Sequence, residues 1–182
     1  MPVNDYTPHL LEVARLMELA ARTAPKSRGE DYVKFLTLSG DGIPRLAEAL
    51  LTFGKKSGKH NFDRDSNNIK NSPVVALIGL KDATTLGLNC SACGFPTCAD
   101  LEKAPKTGAD FNGPICAFRQ LDFGIALGSA VKTAQMLNVD NRIMYRVGVA
   151  ARSAGFVDWD IVMGIPLSAT GKNIYFDREL KK

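Results

Sequence analysis

The sequence lacks the features of a membrane, secreted or nucleic-acid-binding protein. No apolar run approaches the roughly 18 residues that a membrane-spanning helix needs. The N-terminal stretch Met1-Pro2-Val3-Asn4-Asp5 lacks the basic and then apolar order of a signal peptide, so we expect a soluble, cytoplasmic chain. The 23 basic and 19 acidic residues leave a net charge of only +4, which is too small an excess for a nucleic-acid surface.

Histidine is scarce, and recognisable catalytic motifs are missing. The two histidines, His9 and His60, are far apart in sequence, and we find neither a serine–histidine–acid arrangement with a nucleophile elbow nor a G-x-G-x-x-G fingerprint. The composition, with 45% hydrophobic and 23% charged residues, is ordinary for a globular protein of 182 residues. We therefore expect one α+β domain over residues 1–182. The motifs in the sequence do not identify a catalysed reaction.

All four cysteines lie between positions 90 and 116. Cys90, Cys93, Cys98 and Cys116 have the spacing C-x2-C-x4-C-x17-C, and no cysteine lies elsewhere in the chain. Because a reducing cytoplasm disfavours disulfides, this clustering indicates metal ligation by thiolates. Zinc, an iron–sulfur cluster and a redox disulfide pair are the three candidates.

The spacing favours a cubane iron–sulfur cluster over zinc. A zinc site usually joins two C-x2-C knuckles or ends in histidines, whereas the second half here is the lone Cys116. A cubane cluster takes three thiolates from a tight loop and a fourth from elsewhere, which matches the first three cysteines and Cys116. Gly94 and Pro96 suit a loop that wraps a bulky anion, and Phe95 can shield it from water. We expect a [4Fe–4S] segment at about residues 82–118.

The cysteine loop resembles the four-cysteine 4Fe–4S domain of corrinoid iron–sulfur proteins and membrane-complex ferredoxin subunits. That domain also places a CG-x-P-x-C-type loop, here within Asn89–Ala99, before a distant fourth cysteine. The whole chain resembles a family of bacterial and archaeal proteins described as containing a ferredoxin domain. The residues that carry this wider resemblance are Ala20–Lys26, Cys116–Lys132, Asn141–Tyr145 and Gly164–Asn173. It implies a 4Fe–4S cluster without an established reaction.

Hydrophobic periodicity predicts a sheet flanked by helices. Helices are predicted at His9–Thr23, Ile43–Phe53, Phe118–Leu137 and Arg142–Ala154, strands at Tyr32–Leu38, Pro73–Leu80, Asp160–Pro166 and Ile174–Phe176, and a long loop or short helix at Lys55–Ser72. Because Phe118–Leu137 is apolar or small on most sides, we expect it to be buried, with another element close to Gly124 and Gly128. Asp122 either pairs with Arg119 or contacts a cofactor.

This order of elements resembles the FMN-binding nitroreductase fold. Ala24-Pro25 matches the start of the Ala-Pro-Ser turn that leads to that family's flavin contacts, although Lys26-Ser27-Arg28 replaces its usual continuation. The family's paired N-terminal arginines are absent, since Arg15 is the one arginine in residues 1–15. The resemblance implies one of two alternatives. Either FMN is bound by Arg22, Lys26 and Arg28, or the fold is retained without a bound flavin. The resemblance also implies a homodimer joined through the glycine-containing helix.

Three functions are compatible with the sequence. The first is an electron-transfer protein whose embedded iron–sulfur loop exchanges electrons with a redox partner protein. The second is a flavin-dependent oxidoreductase of nitroreductase-like fold that receives electrons from the cluster. The third is a structural zinc or redox-sensing protein. The basic run Lys55–His60 is either a solvated surface or a docking site for an acidic redox partner.

Overall fold

The computed structural model describes residues 5–177, so the two ends of the predicted domain, 1–4 and 178–182, lie outside it. The helices are α1 (Thr7–Thr23), α2 (Gly42–Ser57), α3 (Phe62–Lys70), α4 (Cys98–Lys103), α5 (Ala117–Met136) and α6 (Tyr145–Ser153), and the strands are β1 (Val33–Ser39), β2 (Val74–Leu80), β3 (Thr107–Gly108), β4 (Asn112–Gly113), β5 (Asp140–Asn141) and β6 (Ile161–Ser168). Within the described part of the chain, no helix is both long and apolar enough to cross a membrane.

The central feature is a four-stranded antiparallel sheet in the order β1-β2-β6-β5. Val33 of β1 pairs with Leu80 of β2, and Val74 of β2 pairs with Leu167 of β6. The short β5 adds Asp140 opposite Ser168. Strands β3 and β4 form a separate two-stranded ribbon, which lies between α4 and α5 in the chain.

Strand β2 is buried on both faces, as its uninterrupted apolar sequence predicts. Because side chains alternate along a strand, Val74, Ala76 and Ile78 join the core under α1 and α5. Val75 and Leu77 join a second core, which is covered by α2, α3 and α6. The molecule is therefore a sheet between two helical layers, and the predicted α+β class with helices flanking a sheet is confirmed.

Two predictions were wrong here, the end of the second helix and the strand at Ile174–Phe176. Helix α2 continues past Gly54 to Ser57. The glycine serves packing instead, since a Cβ at Gly54 would lie 2.7 Å from the Phe62 Cβ at the start of α3. The segment Lys55–Ser72, predicted as a long loop or short helix, holds the short helix α3, which agrees with the second alternative. Ile174–Phe176 is a 3₁₀ helix rather than a strand, and the Asn173 side chain accepts the Tyr175 N–H at 3.0 Å at its start.

Helix α5 is buried on one face only, so the prediction that it is buried on most sides was wrong. Phe123, Ala126 and Ala130 lie in the core under the sheet. On the opposite face, Leu121 and Ile125 are 59% and 46% exposed. No atom outside the helix backbone lies within 4 Å of the Cβ positions of Gly124 and Gly128, so no other element of the described chain approaches these glycines.

Helix α6 and strand β6 pack through two glycines with no room for side chains. A Cβ on Gly148 would lie 1.9 Å from the Val162 carbonyl oxygen, and one on Gly164 would lie 2.2 Å from a Val147 methyl. Helix α6 begins at Tyr145, later than predicted, because Met144 pairs with Gly164 and donates its N–H to that carbonyl at 2.7 Å.

We expect Gly148→Ala to destabilise the protein by about 3 kcal/mol, since the clash is with backbone and outweighs the gain of about 1 kcal/mol in helix propensity. Urea unfolding followed by circular dichroism measures this difference. Gly42→Ala is the matched control, because its Cβ would be in ordinary contact with the Leu38 Cβ at 3.4 Å. Equal stabilities for Gly148→Ala and the wild type would contradict the close approach.

Candidate functional site

All four cysteines line one small cavity. Leu86, Leu88, Phe95 and Phe118 complete its largely apolar wall. The four thiols are free, and their exposure is graded, from the exposed Cys90 through Cys93 and Cys98 to the buried Cys116. Residues that are separated by up to 26 positions in sequence thus meet at one place, with one edge of the site near the surface.

Cys116 lines the cavity from the N-terminal end of α5. It is the residue that precedes the helix, and its carbonyl accepts the Gln120 N–H at 3.1 Å. The N-terminus of a 20-residue helix carries partial positive charge, which stabilises a negative sulfur at that position.

The loop around the other three cysteines is held by hydrogen bonds of its own residues. The Asn89 N–H donates to the Cys98 sulfur at 3.4 Å, and the Cys98 N–H donates to the Asn89 side-chain oxygen at 2.8 Å. Gly94 donates its N–H to the Ser91 carbonyl at 2.9 Å. Asn89, Ser91 and Gly94 have positive φ angles of 49°, 57° and 86°.

Helix α4 fixes the position of Cys98 from the other side. Thr97 and Asp100 form a capping box in which the Thr97 hydroxyl accepts the Asp100 N–H at 3.2 Å and the Asp100 carboxylate accepts the Thr97 N–H at 3.1 Å. A capping box satisfies backbone donors that would otherwise lack partners, so the start of the helix at Cys98 is well defined.

The buried Arg119 ties the cysteine segment to the body of the protein. Its Nε donates to the Thr84 carbonyl at 3.0 Å, just before the cysteines, and one terminal nitrogen donates to the Ser27 carbonyl at 2.9 Å. The guanidinium also pairs with Glu30 and, at 3.4 Å, with Asp122. The predicted Arg119–Asp122 pair is confirmed. Asp122 in turn accepts the N–H and O–H of Ser27 at 2.9 and 2.8 Å.

A second anchor is the buried Asp160. Its carboxylate accepts the Asp82 N–H at 3.0 Å and the Asn112 side-chain N–H at 3.3 Å, and it lies 3.7 Å from the Lys106 ammonium. The Asp160 carbonyl also accepts the Asn112 N–H at 2.9 Å. Asp160 therefore holds the start of the cysteine segment and the stretch between Cys98 and Cys116 against the end of the sheet.

The three cations predicted to contact a flavin have partners within the protein. Lys26 donates to the carbonyls of Ala21, Arg22 and Ala24 at 2.6, 2.8 and 2.8 Å, which uses all three of its protons. Burial lowers the pKa of Lys26, although Asp31 opposes this shift. Arg22 pairs with Asp31 at 2.6 Å, and the exposed Arg28 donates to the Leu86 carbonyl at 3.2 Å. These contacts give Lys26 no free donor for a phosphate.

Sequence reasoning did not assign roles to Asn89, Arg119 and Asp160 as supports of the cysteine loop. The sequence could have indicated Asn89, because asparagine tolerates positive φ angles and this asparagine directly precedes the first cysteine of the loop. Arg119 and Asp160 had no such signal, since their partners lie far away in sequence. In residues 5–177, no three His, Cys, Asp or Glu side chains converge closely enough to hold a single metal ion.

Comparison with solved structures shows the fold. The FMN-dependent nitroreductase NfnB from Mycobacterium smegmatis, in complex with NADPH, superposes with a TM-score of 0.56 at 14% identity, over 88% of this chain and 78% of that protein. A nitroreductase with bound FMN from Desulfitobacterium hafniense gives a TM-score of 0.52 at 12% identity, over 94% and 80%. The chain therefore has the nitroreductase fold, as its element order predicts.

Comparison of sequences shows the family. Residues 112–178 match the family described as "Uncharacterized protein containing a ferredoxin domain". An uncharacterised protein from Archaeoglobus fulgidus is 48% identical over 169 residues, which are 93% of this chain and 91% of the archaeal protein. The chain belongs to this family of proteins that contain a ferredoxin domain.

Proposed function

We propose that this protein binds a [4Fe–4S] cluster through Cys90, Cys93, Cys98 and Cys116 and functions in electron transfer. The observation that supports this most directly is that all four cysteines line one cavity. Membership of a ferredoxin-domain family gives independent support. In this proposal residues 82–118 are the cluster-binding segment of one α+β domain. When bound, such a cluster stores and releases single electrons.

The donor set fits a cubane better than a zinc ion. Four thiolates around one zinc, each at about 2.3 Å, stand only about 3.8 Å apart. In a cubane each thiolate binds its own iron, so the four sulfurs surround a larger body. The cysteines share a cavity, with three thiols from one loop and the fourth from the start of α5, and this division suits the larger group.

The surroundings of the thiols favour an electron-transfer role. Leu86, Phe95 and Phe118 give the cavity apolar walls, and the backbone N–H of Asn89 donates to the Cys98 sulfur. Such hydrogen bonds and burial set the reduction potential of a cluster. The exposed Cys90 leaves one edge of the site near the surface, where a redox partner protein can approach.

We expect anaerobically purified protein to contain about four irons and four sulfides per chain and to lose its brown colour on reduction. Cys93→Ala should abolish the visible spectrum, because it removes one iron ligand. Ala92→Ser, in the same exposed turn, is the control and should retain the iron. Stoichiometric zinc without sulfide in the wild type would contradict the proposal and favour the structural zinc or redox-sensing function.

The second candidate function is a flavin-dependent oxidoreductase fed by the cluster. Its support is the fold, which the chain shares with FMN-bound nitroreductases. The three donors of Lys26 are already used by carbonyls, so Lys26 offers no free donor to a phosphate in this conformation, whereas Arg22 and Arg28 are exposed. FMN released on denaturation of the same anaerobic preparation would favour this candidate.

We further propose that two copies of the chain form a homodimer through the outer face of α5. Leu121, Gly124, Ile125 and Gly128 lie three or four residues apart and so share one helix face. The two apolar side chains are exposed, and the two glycines leave room for another helix to approach closely. Because each glycine costs about 1 kcal/mol relative to alanine in a helix interior, contact with a second copy explains their presence.

Ile125→Glu should convert the wild-type dimer to a monomer, since it places a charge in the centre of the apolar face. Light scattering coupled to size-exclusion chromatography measures the mass. Ile143→Glu is the control, because Ile143 is also exposed, at 41%, but lies outside α5. A wild-type chain that is monomeric at tens of micromolar would rule out the dimer.

A further inference from the structure

We propose that Asn89 is a positioning residue that fixes Cys98 relative to Cys90 and supplies a hydrogen bond to the Cys98 sulfur. This inference rests on the proposed cluster site and deepens it. Asn89 directly precedes Cys90 in the chain, and it forms two hydrogen bonds with Cys98, nine residues later. One residue therefore links two of the four thiols.

The contact between Asn89 and Cys98 is reciprocal. The Cys98 N–H donates to the Asn89 side-chain oxygen at 2.8 Å, while the Asn89 N–H donates to the Cys98 sulfur at 3.4 Å, a normal length for an N–H···S bond. The first bond closes the loop across its base. The second places a donor on a sulfur that becomes more negative when a bound cluster is reduced, which favours the reduced state.

The residue type is restricted by three requirements. The φ angle at Asn89 is 49°, in the left-handed region that glycine, asparagine and aspartate adopt most readily. The side chain must offer an acceptor to the Cys98 N–H, which excludes glycine. A site with four thiolates is strongly negative, so the charge of an aspartate would oppose the arrival of an electron. Asparagine meets all three requirements.

The capping box of α4 makes this contact effective. Thr97 and Asp100 hold the helix start at Cys98, so the amide of Cys98 has a defined direction. Asn89 then connects that fixed point to Cys90, which is the most exposed of the four thiols. Without the Asn89 side chain, the Cys98 N–H loses its acceptor, and the Cys90 end of the loop keeps only the longer bond from the Asn89 N–H to the Cys98 sulfur.

Three substitutions separate the requirements. Asn89→Gly keeps the backbone conformation but removes the acceptor, Asn89→Ala removes the acceptor and strains the backbone, and Asn89→Asp keeps the acceptor and adds charge. We expect the glycine and alanine variants to lose iron to a chelator about tenfold faster than the wild type, a typical effect of removing a hydrogen-bond partner of a metal ligand. We expect the aspartate variant to retain iron with a lower midpoint potential.

Asn138→Gly and Asn138→Asp are matched controls. Asn138 is an exposed asparagine with a φ of 56°, and it lies beyond the far end of α5 from Cys116. Both controls should show the wild-type rate of iron loss and the wild-type midpoint potential. Circular dichroism verifies that every variant is folded.

Amide hydrogen exchange of the full chain as purified distinguishes this inference from the proposed function. The Cys98 amide should exchange faster in Asn89→Gly than in the wild type, whether or not iron is present. Wild-type protein that is purified without iron would refute the cluster. In that case the exchange rate of the Cys98 amide would still test the hydrogen bond between Asn89 and Cys98. Wild-type rates of both Cys98 exchange and iron loss in Asn89→Gly would overturn the role of Asn89.

Discussion

The geometry of the cysteine site depends on one buried charge, the guanidinium of Arg119. A buried arginine must have partners for its N–H groups, because an uncompensated charge in the interior is strongly destabilising. Here the partners are the Thr84 and Ser27 carbonyls and the carboxylates of Glu30 and Asp122, and the guanidinium lies 4.7 Å from the Tyr32 ring. These groups belong to the start of the cysteine segment, the turn after α1, and α5. Satisfying one side chain therefore brings Cys116 to the loop that carries the other three thiols.

The need of buried charged groups for partners also explains how an irregular segment can form a defined site on this fold. Residues between β2 and α5 contain little regular structure, yet they are held near both ends. Asp160 at Asp82 and Arg119 at Thr84 hold the start, and Asp160 at Asn112 holds the part before α5. Both anchors project from elements packed on the sheet, whose central strand is buried on both faces. The anchors fix where the segment begins and ends, and local hydrogen bonds determine its shape between them.

The features that could be predicted from the sequence are those that depend on local periodicity and residue spacing. Strand β2 and helices α1 and α5 were predicted within one or two residues, because each has a clear hydrophobic pattern. The four cysteines were singled out because they cluster. The exposed face of α5 was not predicted, since small apolar residues such as Gly124 suit both a core and a contact with a second copy. The anchors Arg119 and Asp160 were missed because their partners are distant in sequence.

In the turn after α1, the polar groups are used for contacts within the protein itself. The last carbonyls of a helix need donors, and a cation near them also balances the negative end of the helix dipole. Lys26 meets both needs at the end of α1, with its side chain only 4% exposed. Moving its ammonium to an external phosphate would leave three carbonyls without this donor. The adjacent Ser27 is likewise held by Asp122, and Arg28 by the Leu86 carbonyl at the edge of the cysteine cavity. The contacts of this turn thus support the cysteine segment, and a flavin at this position would have to replace them.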